Sequence, residues 1–144
     1  MILECLYIFG LVSSATLMGS MVFFSGVMAP LIFIKLDEST AGQFVRSIFP
    51  WYYLVIAGMS LIGSVSLVII QPLPSAILAV IAIAAFLARQ VLMPRINEHR
   101  AKMVGGDNGA ERAFQRLHSF SVWINNGQLI GSFTVLIMLG LAKF

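Results

Sequence analysis

Charge is scarce in this sequence. Only 10% of its 144 residues are Asp, Glu, Lys or Arg, against about a quarter in an ordinary soluble domain. Three long stretches hold none of them: Cys5 to Ile34, Ser47 to Ala88, and Leu117 to Ala142. A water-soluble fold of this size could not hide an apolar fraction of 59%. Cysteine is almost missing as well, and the single Cys5 excludes an internal disulfide or a cysteine-based metal site within one chain. There is no Gly-rich phosphate loop, HExxH, CxxC or GxSxG, so no enzymatic activity is expected. The pI of 9.4 rests on nine basic residues that border apolar stretches. Topology accounts for them, and no nucleic-acid partner is expected.

What is present is membrane-spanning sequence. Each uncharged stretch exceeds the roughly 20 residues that cross a bilayer core at about 1.5 Å per residue. The middle one holds Gln71-Pro72-Leu73-Pro74 inside it, and proline lacks the N–H a continuing helix needs, so it reads as two helices and a short turn. The expectation is a single all-α membrane domain over residues 1–144, a four-transmembrane-helix bundle with spans near 5–28, 51–70, 74–93 and 118–141. No Lys or Arg precedes Lys35, so a cleaved signal peptide is not expected and the first span reads as retained. Its uncharged stretch is longer than one bilayer crossing, and Pro30 is where the helix is expected to bend. Trp51, Tyr52 and Tyr53 suit the headgroup boundary at the start of span two.

Seven basic residues (Lys35, Arg46, Arg95, Arg100, Lys102, Arg112 and Arg116) fall in the two loops after spans one and three, against Lys143 at the opposite end. The positive-inside rule then puts both loops in the cytoplasm and both termini outside. The second loop reads as a helical hairpin: Glu98 and Lys102 pair four apart, Gly105-Gly106 ends one helix, and Asp107 or Asn108 caps the next. The expected location is a bacterial inner (plasma) membrane, with the lipid bilayer as first partner.

Span four carries the polar pattern. His118, Ser121, Asn125, Gln128 and Ser132 recur at spacings of three and four, so they share one helix face. Such groups need partners in lipid, so the face points inward, either as packing hydrogen bonds or as the lining of a wet cavity. Arg89 stands inside span three; it either snorkels to the headgroups or faces the bundle and meets His118 and Asn125 in an anion-attracting vestibule. His118 is also the candidate ligand for a metal or haem iron, which would need a second ligand from elsewhere. Gly127 and Gly131 form GxxxG, serving either packing within the monomer or an oligomer interface.

Two stretches resemble a known family. Residues 19–30 (GSMVFFSGVMAP), then Leu36, Ala41-Gly42 and residues 48–53 (IFPWYY), resemble the first half of the transmembrane protein 205-like family, also called domain of unknown function 4149. Pro94-Arg95-Ile96-Asn97, then Phe114 to Ser119, Ser121-Val122, Asn125 and Gln128, resemble its second half. The resemblance implies a small four-span membrane protein, with members loosely linked to tolerance of toxic compounds. It singles out Pro30, Pro50, Arg89, Pro94, Arg95, Asn97, His118 and Asn125 without assigning them roles. A fainter likeness joins the chain to membrane haem-pathway and copper-resistance families, but span one has no histidine.

The first functional expectation is a small transporter or channel component with a polar cavity in its cytoplasmic half, lined by Arg89, Asn97, His118, Ser121, Asn125 and Gln128. A homo-oligomer is expected if transport occurs, since four helices enclose little space. The alternatives are a haem- or metal-binding redox accessory using His118, and a structural or assembly subunit of a larger membrane complex.

Overall fold

The computed structural model describes residues 1–106 and 108–142; capping by Asp107 or by the Asn108 side chain, and Lys143, lie outside them. All regular structure among the described residues is helical. Helix α1 (Ile2–Phe23) passes through a π-helical turn (Phe24–Met28) into α2 (Ala29–Lys35). Leu36 and Asp37 are extended, and α3 (Glu38–Leu67) follows. After a four-residue turn, α4 (Pro72–Leu87) passes through a second π-helical turn (Ala88–Leu92) into α5 (Met93–Val104), and α6 (Asn108–Leu141) completes the chain. The four continuous helices are each long and apolar enough to cross a membrane.

The boundaries have local causes. Asp37 accepts the Thr40 N–H at 3.0 Å and so caps α3. Pro72 opens α4 at the first helical position, where its missing N–H costs nothing. Between α5 and α6 the chain reverses at Gly106, whose φ of 93° suits glycine alone. The exposed Glu98–Lys102 pair forms at 2.6 Å. The bend expected at Pro30 takes another form: the helix stays continuous to Lys35, and the backbone widens just before the proline. There Ala29 N–H donates to Phe24 O, five residues back, and Met93 N–H does the same to Ala88 O before Pro94. A π-turn absorbs the mismatch that a proline imposes on the hydrogen-bond ladder.

Short connections make chain neighbours antiparallel. The four rods form a closed ring, with the seam between α1 and α6 the thinnest. The start of α1 and the end of α6 lie at one end, where the Tyr7 hydroxyl donates to Leu139 O. That half is closely packed: Leu17, Met21, Ile56, Leu67, Leu78, Val135 and Leu139 are at most 1% exposed. In lipid such helices are held by close contact rather than by exclusion from water. A Cβ on Gly63 would meet Ser13 Oγ at 2.8 Å and Leu78 Cδ1 at 2.9 Å. Ser64 and Ser75 exchange bonds across α3 and α4, Ser64 Oγ to Ser75 O at 3.0 Å and Ser75 Oγ to Ser64 O at 2.8 Å. Outward, Phe9, Val65, Val80, Ile83 and Ile130 form part of a lipid-facing belt.

Candidate functional site at the basic end

The opposite, Arg-rich end is looser and more polar. Tyr52 is only 7% exposed, and its hydroxyl donates to Asn125 Oδ1 at 2.8 Å. Asn125 Nδ2 in turn reaches Ser25 Oγ at 3.4 Å, so α3, α6 and the first π-turn meet at one point. Phe24 stacks on Tyr52 at 4.4 Å, and Phe49 meets both rings edge-on. This corrects the headgroup role expected for the aromatic cluster. Trp51 alone points outward, at 68% exposure, whereas Tyr53 is 1% exposed. The reason is that α3 starts at Glu38, well before Trp51, so successive residues turn about 100° on a helix face and do not sit together at its end.

Three cavities follow one another here. A cavity of about 220 Å³ lies between the first π-turn, α3 and α6, lined by Ser25, Tyr52, His118 and Asn125 among others. A narrow one of about 90 Å³ is lined by Arg46, Asn97, Arg100, His118 and Ser121 with aromatic and aliphatic neighbours. These two share Phe49, His118 and Ser121 as walls. A wider cavity of about 770 Å³, with Asp37, Glu38 and Gln43 in its walls, shares Arg46 and Arg100 with the narrow one. Adjoining through these shared side chains, they form a line of separate cavities, a lane, from the basic end toward the flank of the bundle.

Arg46 and Arg100 are half-buried and form no ion pair among the described residues. The Arg100 guanidinium rests on Gly42, where a Cβ would collide with Nη2, and lies over the Phe114 ring at 5.9 Å. His118 stacks near-parallel on the same ring at 5.9 Å. Asn97 Oδ1 is buried without a donor. Asp37, outside the spans, is held below the usual carboxylate range by the Thr40 backbone bond.

The other residues singled out by sequence fall elsewhere. Arg89 is half-buried in the second π-turn and donates from Nε to Pro50 O at 3.1 Å. It turns toward α3 and does not line the lane with His118 and Asn125. Arg95, Pro30 and Pro94 are exposed. Ser121 and Ser132 bond back to their own helix, at His118 O and Leu129 O. Gln128, 4% exposed, donates to Ile81 O at 3.3 Å while its Oε1 has no partner. It borders a separate, apolar groove of about 430 Å³ between α4 and α6. A Cβ on Gly131 would stand 3.2 Å from Ile81 Cδ1, whereas one on Gly127 would meet nothing within 4 Å. No three His, Cys, Asp or Glu side chains cluster as a metal site among the described residues. Arg46, Arg100, Tyr52 and Ser25 are what sequence reasoning missed as site residues; a helical reading from Asp37 onward would have put Gly42, Arg46 and Phe49 near one face.

Four long apolar helices, closed into a ring with a polar region at one end, define a multi-pass all-α membrane protein. A family model described as Domain of unknown function (DUF4149) matches residues 12–104, and the chain belongs to that family. The match runs from α1 to the end of α5, so His118, Asn125 and Gln128 of α6 lie beyond it. Neither a curated protein nor a solved structure matches the chain.

Proposed function

We propose that the protein is a small transporter that moves amphipathic solutes between the aqueous phase at its basic end and the bilayer. The observation that carries this reading is the sharing of walls among the three cavities: Arg46 and Arg100 join the first pair, and Phe49, His118 and Ser121 the second. Such a lane presents charge at its mouth and aromatic surface farther in, which suits a solute that has both. The packed half beyond it, closed by Leu17, Leu78 and Leu139, favours sideways exit into lipid over a straight pore. On the positive-inside reading the mouth faces the cytoplasm. A π-turn in the lane wall fits this role, because such turns recur at functional sites.

The test is reconstitution into liposomes, with transfer of a nitrobenzoxadiazole-labelled lysophospholipid from albumin in the aqueous phase into the bilayer followed by the rise in its fluorescence. Transport predicts a transfer rate that rises with protein content. A rate equal to that of protein-free liposomes sinks the proposal.

A further inference from the structure

We infer that the lane selects a single-chain amphiphile with an anionic headgroup, the carboxylate or phosphate lying between Arg46 and Arg100 and the chain running past Phe49 toward Tyr52. This names the solute class of the transporter proposed above and rests on that reading for the use of the lane. It is read out by equilibrium binding, so binding without flux would refute transport and leave the ligand class standing.

The sign of the ligand comes from the walls. Two guanidinium groups border both the wide and the narrow cavity, and neither forms an ion pair among the described residues. The narrow cavity has no carboxylate in its lining. In the wide one Asp37 is already occupied as the cap of α3 through Thr40 N–H, and Glu38 beside it is exposed. Unpaired guanidinium groups at the edge of a low-dielectric region are matched best by carboxylate or phosphate, which can accept two bonds from one fork.

Placement is built in. Gly42 lets Arg100 lie directly on the α3 backbone, and the Phe114 ring lies beneath the guanidinium. A long, otherwise free side chain is thereby held at the junction of the two cavities. Charge alone would suit a free inorganic anion. The lining beyond the arginines, with Phe33, Phe49, Met93 and Ile96, offers an inorganic anion nothing, but suits an alkyl chain. At about 90 Å³ the passage is narrow, which favours one chain over the paired chains of a bilayer phospholipid. Past it, Phe24, Tyr52 and Val122 carry the path to the thin α1–α6 seam.

The experiment uses the full-length protein in phosphatidylcholine nanodiscs, with 11-(dansylamino)undecanoate fluorescence as the binding signal and unlabelled competitors. Laurate is expected to displace the probe, and octanoate to do so far less well, since each buried methylene strengthens binding by roughly fourfold. Inorganic phosphate, dodecanol and dodecyltrimethylammonium are expected to fail. Arg46→Gln and Arg100→Gln should each weaken probe binding by about tenfold, the loss of one charge-assisted contact, while Arg116→Gln, outside the lane, leaves it unchanged. Gly42→Ala keeps both charges but displaces Arg100, and should weaken binding with helical content intact, which separates site loss from misfolding. Equal displacement by dodecyltrimethylammonium, or unchanged binding in both arginine variants, overturns the inference. Phosphatidylglycerol doped into the discs competing as well as laurate also overturns it, by marking a site for bilayer headgroups. Phosphate competing as well as laurate overturns it in favour of a free-anion site.

Discussion

The two π-helical turns are the same backbone device used to opposite ends. Phe24–Met28 and Ala88–Leu92 each span five residues, and each is followed by one residue and then a proline. They sit in the first and third membrane helices, which run in the same direction. The second residue of each turn faces a neighbouring helix: Ser25 meets Asn125 of α6, and Arg89 meets Pro50 O of α3. The long arginine bridges its seam, whereas the short serine reaches only Asn125, at 3.4 Å, and the Tyr52 hydroxyl, and leaves a cavity of about 220 Å³ beside it. The widened turn therefore creates the room, and the side chain at its second position decides whether that room is filled. The open turn borders the lane.

The sharpest way to break the comparison is to overfill the tight region and, separately, the open one. Gly63→Leu forces a side chain into Ser13 and Leu78 in the packed half. It is expected to cost about 1–3 kcal/mol, the range for overpacking a close-packed core. The same change at Gly26 in the open first turn, where a Cβ would meet nothing within 4 Å, should stay within about 0.5 kcal/mol. Thermal unfolding in detergent compares them, and equal losses at the two sites would mean that the halves do not differ in packing.

Arg89→Ser gives the second turn the residue of the first. Losing a charged donor to Pro50 O should destabilise the bundle by about 1–2 kcal/mol, and an unfolding midpoint equal to the parent's would show that Arg89 does not brace its seam. Tyr52→Phe touches the open side and removes the donor to Asn125 Oδ1. Hydrogen bonds between membrane helices average about 0.6 kcal/mol, so a smaller loss of that size is expected. A double-mutant cycle with Asn125→Ala isolates the pair, and a coupling of zero would remove this contact from the wall of the lane.

How far these features could be read from sequence follows from the range of the interaction behind each. The four spans were legible because absence of charge over about 20 residues is a local signal with one physical cause. So were the turn at Pro72 and the reversal at Gly105-Gly106, since proline and glycine act on their own backbone. The extent of α3 was only half legible. Asp37 and Thr40 form the cap, but residues 38–50 are too polar to read as a span, so sequence alone starts the helix at Trp51 and assigns Tyr52 to the headgroups. In sequence, Arg46 and Arg100 are indistinguishable from topological charges. Their approach to one cavity depends on α3 packing beside α5, a relation between segments about 50 residues apart that no period encodes. Arg89 was recognised as unusual, but its partner was not, because the partner is a backbone carbonyl at Pro50.

The smallest effect concerns the two ends of the α3–α4 hairpin, which begin differently: α3 has a side-chain cap in Asp37, whereas α4 opens on Pro72 with none. The Asp37 carboxyl is held below its ordinary value of 3.8, first by the Thr40 backbone bond. A carboxylate with a lowered folded pKa stabilises the fold above its unfolded pKa, and that contribution is lost as pH falls through the folded value. The difference in unfolding midpoint between the parent and Asp37→Ala should therefore be constant at neutral and mildly acidic pH. It should shrink toward zero only below 3.8. Leu73→Ala, next to the uncapped start of α4, should show no such pH window. A parent-to-Asp37→Ala difference that persists unchanged well below that pH would mean that Asp37 acts through something other than its charged bond to Thr40, and that the two helix starts do not differ in the way their geometry indicates.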